Sequence, residues 1–297
     1  MAPARPPVGV STGVFSRFPE YATPEAVADG MRRLDADCFE VLLFGNWDDP
    51  LAAARTLAAT GRPVAVVHGA KHIGGLLGSE DPAVRTQGQN LALRAVEVAQ
   101  ILSAPRVNIH LWDLPDSDRH LARNLEALSE LLPRVWESGC QLLCETVPCQ
   151  ADVPWRGVQR ALDMAEALPG GPAGGIALGV NLDLEFLAWH DGVRETMTRF
   201  VPLWGKRLGN VHVKDFDGHP FDENGRRRYV NPGDGTLDYP WILGRLRDAG
   251  YSGPLTFEGN VARIADRAQA LAETARYLGR MREWAEAAWP DPAPDHT

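Results

Sequence analysis

No CxxC pair occurs, and the chain has only four cysteines: Cys38, Cys140, Cys144 and Cys149. That excludes a cysteine-rich zinc module and a small disulfide-stapled scaffold. Cys38 and Cys144 lie inside apolar runs, where a buried free thiol is the ordinary outcome. No Gly-x-Gly-x-x-Gly follows the first apolar run, which argues against a dinucleotide-binding sheet. No apolar run is long enough to cross a membrane. The opening residues, MAPARPPVGV, lack the apolar core of a signal peptide, so a cytoplasmic protein is the expectation. Basic residues are outnumbered: 30 Lys and Arg against 39 Asp and Glu give a net charge of −9. Such a surface repels phosphate backbones and speaks against a nucleic-acid partner. The one dense basic stretch, GRRRY at Gly225 to Tyr229, reads as a solvated loop tip.

What is present is a long, regular alternation. Apolar residues make up 44% of 297, enough for a large core. Strand-like runs begin at Val8 (VGVSTG), Cys38 (CFEVLLF), Val64 (VAVVH), Arg106 (RVNIH), Gln141 (QLLCE), Ile176 (IALGVNLD), Asn210 (NVHVKD) and Gly253 (GPLTFE). Helix-like stretches with apolar spacing near 3.6 separate them. The first, TPEAVADGMRRL, carries a Thr cap, a Pro at its first position and an early Glu. The longest, DRHLARNLEALSELLPRVWES, contains Pro133, a potential kink. The last runs from about Ala262 to Met281. Eight strand–helix repeats predict a parallel sheet closed into a single-domain (β/α)8 TIM barrel, ordered over about residues 8–282. A flexible tail is expected from about residue 289. No linker divides the chain, and a homo-oligomer is compatible with the sequence.

In such a barrel the active site lies at the C-terminal ends of the strands. The third run ends in His68, the fourth in His110, the fifth in Glu145, the sixth in Asp183 and the eighth in Glu258. The seventh carries His212 and Lys214 before Asp215. Residues two apart share a face of a strand. Glu145 therefore shares a face with Leu143 and Gln141. Asp183 shares one with Asn181 and Gly179, His212 with Asn210 and Lys214, and Glu258 with Thr256. These faces predict an interior rising to Glu145, Asp183, His212 and Glu258. Three carboxylates and an imidazole at one mouth repel unless a cation joins them. An oxygen-rich set favours Mn2+, Mg2+ or Co2+ over a thiolate-bound structural zinc, without excluding Zn2+. Taken singly, each group reads as a strand end satisfied by loop backbone; the four together on one face point to a metal site. Glu185 shares Asp183's parity if the strand continues and is a rival ligand.

The motifs LLCET, GVNLD, NVHVKD and GPLTFEGN, with the Gly-rich NPGDGTLDYPWIL after the seventh strand, resemble the xylose isomerase-like TIM-barrel superfamily. The resemblance spans about Val8 to Glu258. The superfamily holds sugar and sugar-phosphate isomerases and epimerases, inosose dehydratases and endonuclease IV-like nucleases. The resemblance implies one divalent ion, Mn2+ first among the alternatives, held by Glu145, Asp183, His212 and Glu258. It also implies that Glu145 and Glu258 exchange protons with a substrate carbon. A cation chelating a carbonyl and its neighbouring hydroxyl acidifies the C–H between them. Proton return to the same carbon epimerises, return to the next carbon isomerises, and loss of a β-hydroxyl makes a lyase or dehydratase.

Two positions depart from relatives. Phe186 stands three residues after Asp183, where many carry a histidine, and His190 lies four further on. Ala151 stands six after Glu145, where ketose 3-epimerases carry a second glutamate. These departures point away from an ordinary free ketohexose. Phe186 also removes a histidine that the nuclease branch uses, and GRRRYVNPGDG lacks that branch's Asp-x-His before its Gly-rich turn. A barrel that binds a ligand without catalysis is a third reading. His68, His110, Lys214 and Asp215 are candidate substrate-binding or orienting groups. Trp112, with Trp47 and Trp155, is a candidate apolar wall over a small-molecule substrate, although loop tryptophans also pack against helices.

Overall fold

The computed structural model describes residues 4–16, 21–43, 47–172, 174–259, 261, 264 and 266–290. Eight strands form a closed barrel in chain order, with the eighth returning to the first. They are β1 (Val8–Ser11), β2 (Cys38–Leu42), β3 (Val64–His68), β4 (Arg106–Ile109), β5 (Gln141–Glu145), β6 (Gly179–Asp183), β7 (Leu208–Val213) and β8 (Leu255–Phe257). Every neighbouring pair is parallel, so each connection must cross over, and helices do this. The expected (β/α)8 barrel is what the chain forms.

Local chemistry explains where the helices start. Thr23 Oγ1 accepts a hydrogen bond from the Ala26 amide, ahead of the helix Pro24–Arg33. Asp49, Asp81, Asp238 and Asp266 cap four others in the same way. The helix Leu121–Glu137 runs through Pro133 without ending there. The closing helix is Arg267–Ala288, later and longer than the spacing predicts. Its expected start at Ala262, and the expected tail beyond residue 290, lie outside the described residues.

The strands' two faces differ sharply. Val10, Phe39, Val41, Val107, Ile109, Leu142, Val180, Leu182, Val211 and Val213 point outward into the apolar layer under the helices. The inner face instead carries Ser11, Glu40, His68, Asn108, Glu145, Asn181, Asp183, Asn210, His212 and Thr256, none more than 1% exposed. Lower in the barrel, Leu143 fills the interior. A Cβ on Gly179 would lie 2.5 Å from its Cδ2, which is why a glycine stands there. Burying so many polar groups is costly unless each finds a partner or a cation.

Candidate metal centre

The parallel register lines up four strand ends. Glu145 lies beside Asn181, Asp183 beside His212, and His212 beside Thr256, with Glu258 two residues further along β8. One donor atom from each of Glu145, Asp183, His212 and Glu258 lies within 4.8 Å of the others, and all four residues are buried. His212 Nδ1 is 3.4 Å from Glu145 Oε1, 3.6 Å from Asp183 Oδ2 and 3.2 Å from Glu258 Oε2.

Each carboxylate is held by its surroundings. Asp183 caps the short helix Leu184–Trp189: its Oδ1 accepts the Phe186 amide at 3.1 Å. Its own amide donates to Thr146 Oγ1 at 2.9 Å. Glu145 Oε2 accepts from Asn108 Nδ2 at 2.6 Å and Asn181 Nδ2 at 3.0 Å. The same oxygen faces His68 Nε2 at 3.2 Å and His110 Nε2 at 3.5 Å. His68, His110 and Glu145 thus make a second set of potential ligands that shares Glu145.

Lys214, just past β7, reaches into the cluster. Its Nζ lies 2.6 Å from Asp183 Oδ2 and 2.7 Å from Glu258 Oε2. It lies 3.7 Å from Glu185 Oε2 and 4.6 Å from the centre of the Phe186 ring. The Tyr239 hydroxyl donates to the Lys214 carbonyl at 2.7 Å and steadies the backbone there. Glu185 leaves the strand and sits on the first helical turn, yet it remains buried. Its Oε1 takes Arg227 Nη2 at 2.5 Å. The position of the relatives' histidine is therefore filled by an aromatic ring flanked by two cations, Lys214 and Arg227.

The electrostatics follow from this crowding. Burial works to raise the Glu145 carboxyl's pKa, but His212 and His110 outweigh it and hold the value well below the usual range. Burial likewise opposes ionisation of Glu258, and Lys214, His212 and Lys71 hold its pKa low. His212 is pushed well above the usual histidine value: burial opposes the shift, and Glu40, Glu145 and Glu258 override it. Lys214 is raised in the same way, against burial, by Asp183, Glu258 and Glu185. Glu185 itself is pushed up to about 6, by burial first and by Asp183, with Lys214 and Arg227 opposing. The interior therefore concentrates negative potential and stabilises positive charge at its centre.

Two sequence candidates lie away from the cluster. Trp112 is fully buried, and its indole N–H is 3.2 Å from both the Val147 and Pro148 carbonyls. It packs under the β4 and β5 loops and forms no wall facing the cluster. Asp215 is also fully buried and serves the backbone. It accepts the amides of Phe216 at 2.8 Å, Gly233 at 2.8 Å and Leu237 at 3.0 Å. It organises the Gly-rich segment rather than orienting a ligand. Trp155 is buried against Gly192. Trp47 lines a cavity of about 770 Å3 with Leu43, Ala70, His72 and Leu91, and none of the clustered side chains lines it.

Sequence reasoning missed Glu40 and Asn108 as partners of the cluster, and put Asn181 and Asn210 on the inner face without giving them a role. Glu40 lies 2.8 Å from His212 Nε2, although 172 positions separate the two residues. The signal was available: in CFEVL, Glu40 alternates with Phe39 and Val41, so it must face inward if they face outward.

A family model described as xylose isomerase-like TIM barrel matches residues 29–281. No curated protein matches the sequence. Among solved structures, the D-allulose 3-epimerase of Methylomonas sp. matches with a TM-score of 0.69 at 20% identity, covering 96% of this chain and 100% of that one. An L-ribulose 3-epimerase gives 0.66 at 18% identity, with 97% and 100% covered. The 3-keto-D-glucoside 4-epimerase of E. coli gives 0.64 at 18% identity, with 92% and 98% covered. At these identities the likeness is one of fold.

Proposed function

The chain belongs to the xylose isomerase-like TIM-barrel family, and from that premise we propose that it is a divalent-metal-dependent epimerase or isomerase. Its substrate is a small hydroxy-carbonyl compound derived from a sugar or polyol. The observation that carries the reading is the convergence of Glu145, Asp183, His212 and Glu258 within 4.8 Å in a buried interior. The donor set fits a divalent ion. Three carboxylates and one imidazole are a hard, oxygen-rich set that suits Mn2+, with Co2+, Mg2+ and Zn2+ as alternatives. Glu258 Oε1 is buried without a hydrogen-bond partner, as expected of an atom left for a cation, while Asp183 Oδ2 is occupied by the Lys214 ammonium at 2.6 Å.

When bound, the ion acidifies a C–H beside a carbonyl. The chain's own groups then move the proton. Glu145 and Glu258 are held ionised by their cationic neighbours, so either can act as the base that takes it. The other first takes up a proton from water and then delivers it, to the same carbon for epimerisation or to its neighbour for isomerisation. Lys214, 2.7 Å from Glu258, places positive charge where an oxyanion develops. His110, whose buried Nδ1 has no hydrogen-bond partner, holds a substrate oxygen; His68 is committed to the Gly69 carbonyl through Nδ1 and to Glu145 through Nε2 and positions Glu145 instead. The activities of the three structural neighbours, all sugar epimerases, support this reading.

A lyase reading has one observation of its own. Glu185, a buried acid pushed up to about 6 and 3.7 Å from Lys214 Nζ, is suited to protonate a departing hydroxyl. Incubation in D2O with candidate hydroxy-ketones tests both readings. Deuterium should enter the carbon next to the carbonyl. Glu145→Gln and Glu258→Gln should each lower kcat by about 100-fold or more. Activity that survives either substitution would remove the acid–base roles. A purified protein with no affinity for Mn2+, Co2+, Mg2+ or Zn2+ would sink the metal-dependent reading itself.

A further inference from the structure

We infer that Glu40 is a positioning residue for the centre: it fixes the His212 ring so that Nδ1, and not Nε2, is presented to Glu145, Asp183 and Glu258. The inference rests on the metal reading above and concerns a side chain from the opposite half of the barrel.

Glu40 sits in the middle of β2 and is 1% exposed. Its Oε2 lies 2.8 Å from His212 Nε2 and accepts Asn210 Nδ2 at 3.1 Å. Asn210 is fixed in turn, its Oδ1 accepting Thr256 Oγ1 at 2.7 Å. A chain of contacts thus runs from β8 through β7 to β2 and ends on one face of the imidazole. Glu40 Oε1 has no hydrogen-bond partner, so Oε2 alone is spent on His212 and Asn210. The other ring nitrogen, Nδ1, is the one within 3.2–3.6 Å of the three carboxylates.

A neutral imidazole has one N–H and one lone pair. With the proton on Nε2, it donates to Glu40 and the lone pair points at the cluster. With the proton on Nδ1, the Nε2 lone pair faces a buried carboxylate oxygen 2.8 Å away, and that carboxylate keeps Asn210 as its one remaining donor. The second arrangement is strongly disfavoured in a closed interior. Asn181 Nδ2 does not choose between them, since it lies 3.3 Å from Nδ1 and 3.2 Å from Nε2. Glu40 is therefore what selects the tautomer and turns the ring, in the way carboxylates behind metal-bound histidines do. Glu40 is 1% exposed and acts through His212 and Asn210.

The test uses the full chain, labelled with 15N-histidine and loaded with Zn2+, a diamagnetic ion; the His212 signals are assigned by their loss in His212→Gln. Wild type should show Nε2 protonated and hydrogen-bonded and Nδ1 coordinated. Calorimetric titration should show Glu40→Gln, nearly isosteric, binding Zn2+ and Mn2+ about 10- to 100-fold more weakly, with the Nε2 proton shifted and exchanging faster with water. Coordination through Nε2 in wild type overturns the inference without any variant. So does a folded Glu40→Gln protein with unchanged affinity and unchanged His212 signals, an outcome that leaves the metal reading standing. Wild type that binds neither ion overturns both.

Discussion

Lys214→Met should tighten metal binding while weakening the metal-free protein. The ammonium now sits 2.6 Å from Asp183 Oδ2 and 2.7 Å from Glu258 Oε2, so it competes with a divalent ion for the same charges. At an effective dielectric of about 20, two unit charges about 4 Å apart interact by about 4 kcal/mol. A doubly charged ion would feel about twice that, roughly 8 kcal/mol, as a ceiling. Much of it is relieved when the lysine swings toward Glu185 Oε2, 3.7 Å away, or when water enters. Even one sixth of the ceiling is about 1.4 kcal/mol, a tenfold gain in affinity for Mn2+. In chelator the sign reverses. Removing the ammonium takes from Asp183 and Glu258 their nearest cation and leaves them His212 and, for Glu258, Lys71, a loss in a buried site that costs up to about 3–5 kcal/mol. Calorimetry with Mn2+ measures the first effect, and denaturant unfolding in EDTA measures the second. Saturating Mn2+ should then recover more stability in the variant than in wild type. Equal or weaker Mn2+ binding by a folded Lys214→Met protein would refute the competition.

Glu185→Gln isolates a pH effect. Its carboxyl is raised to about 6, so the native state holds that proton more tightly than the unfolded chain does. The contribution is favourable below about pH 4.5 and is lost as the pH rises through about 6. Between those values the stability of wild type relative to the variant should fall by about 2 kcal/mol; unfolding curves in chelator that show no such trend would contradict the assigned burial. Asp215→Ala strips the acceptor from three backbone amides, those of Phe216, Gly233 and Leu237. It should cost about 3 kcal/mol or more and open residues 216–238 to limited proteolysis; an unchanged melting temperature would refute that role.

The barrel was legible because parallel strands buried on both faces leave regular apolar runs, and because crossover helices announce their starts with caps such as Thr23 and Asp238. The cluster was legible because Glu145, Asp183, His212 and Glu258 all fall at strand ends, where parity and position agree. Glu40 escaped because it lies mid-strand. A rule about strand ends does not sample that position. Asp215 misled for a different reason: a carboxylate next to His212 and Lys214 is indistinguishable in sequence from one that caps a loop. Only the return of Gly233 and Leu237 to its side chain separates the two. For Glu185 the parity argument gave a useful answer on a wrong premise, since the strand ends at Asp183 and the first helical turn brings Glu185 back toward Lys214.

The four residues of the cluster come from β5 to β8, while the carboxylate behind His212 comes from β2. No local stretch of chain presents this arrangement, and a half-barrel lacks either the ligands or the group that turns the histidine. An ion held there recognises the barrel only after it has closed, past the slow step of joining distant strands. Its binding energy is then spent on the native state alone. Such an ion would lengthen the half-life of the folded chain against unfolding and proteolysis and would leave the rate of folding almost untouched.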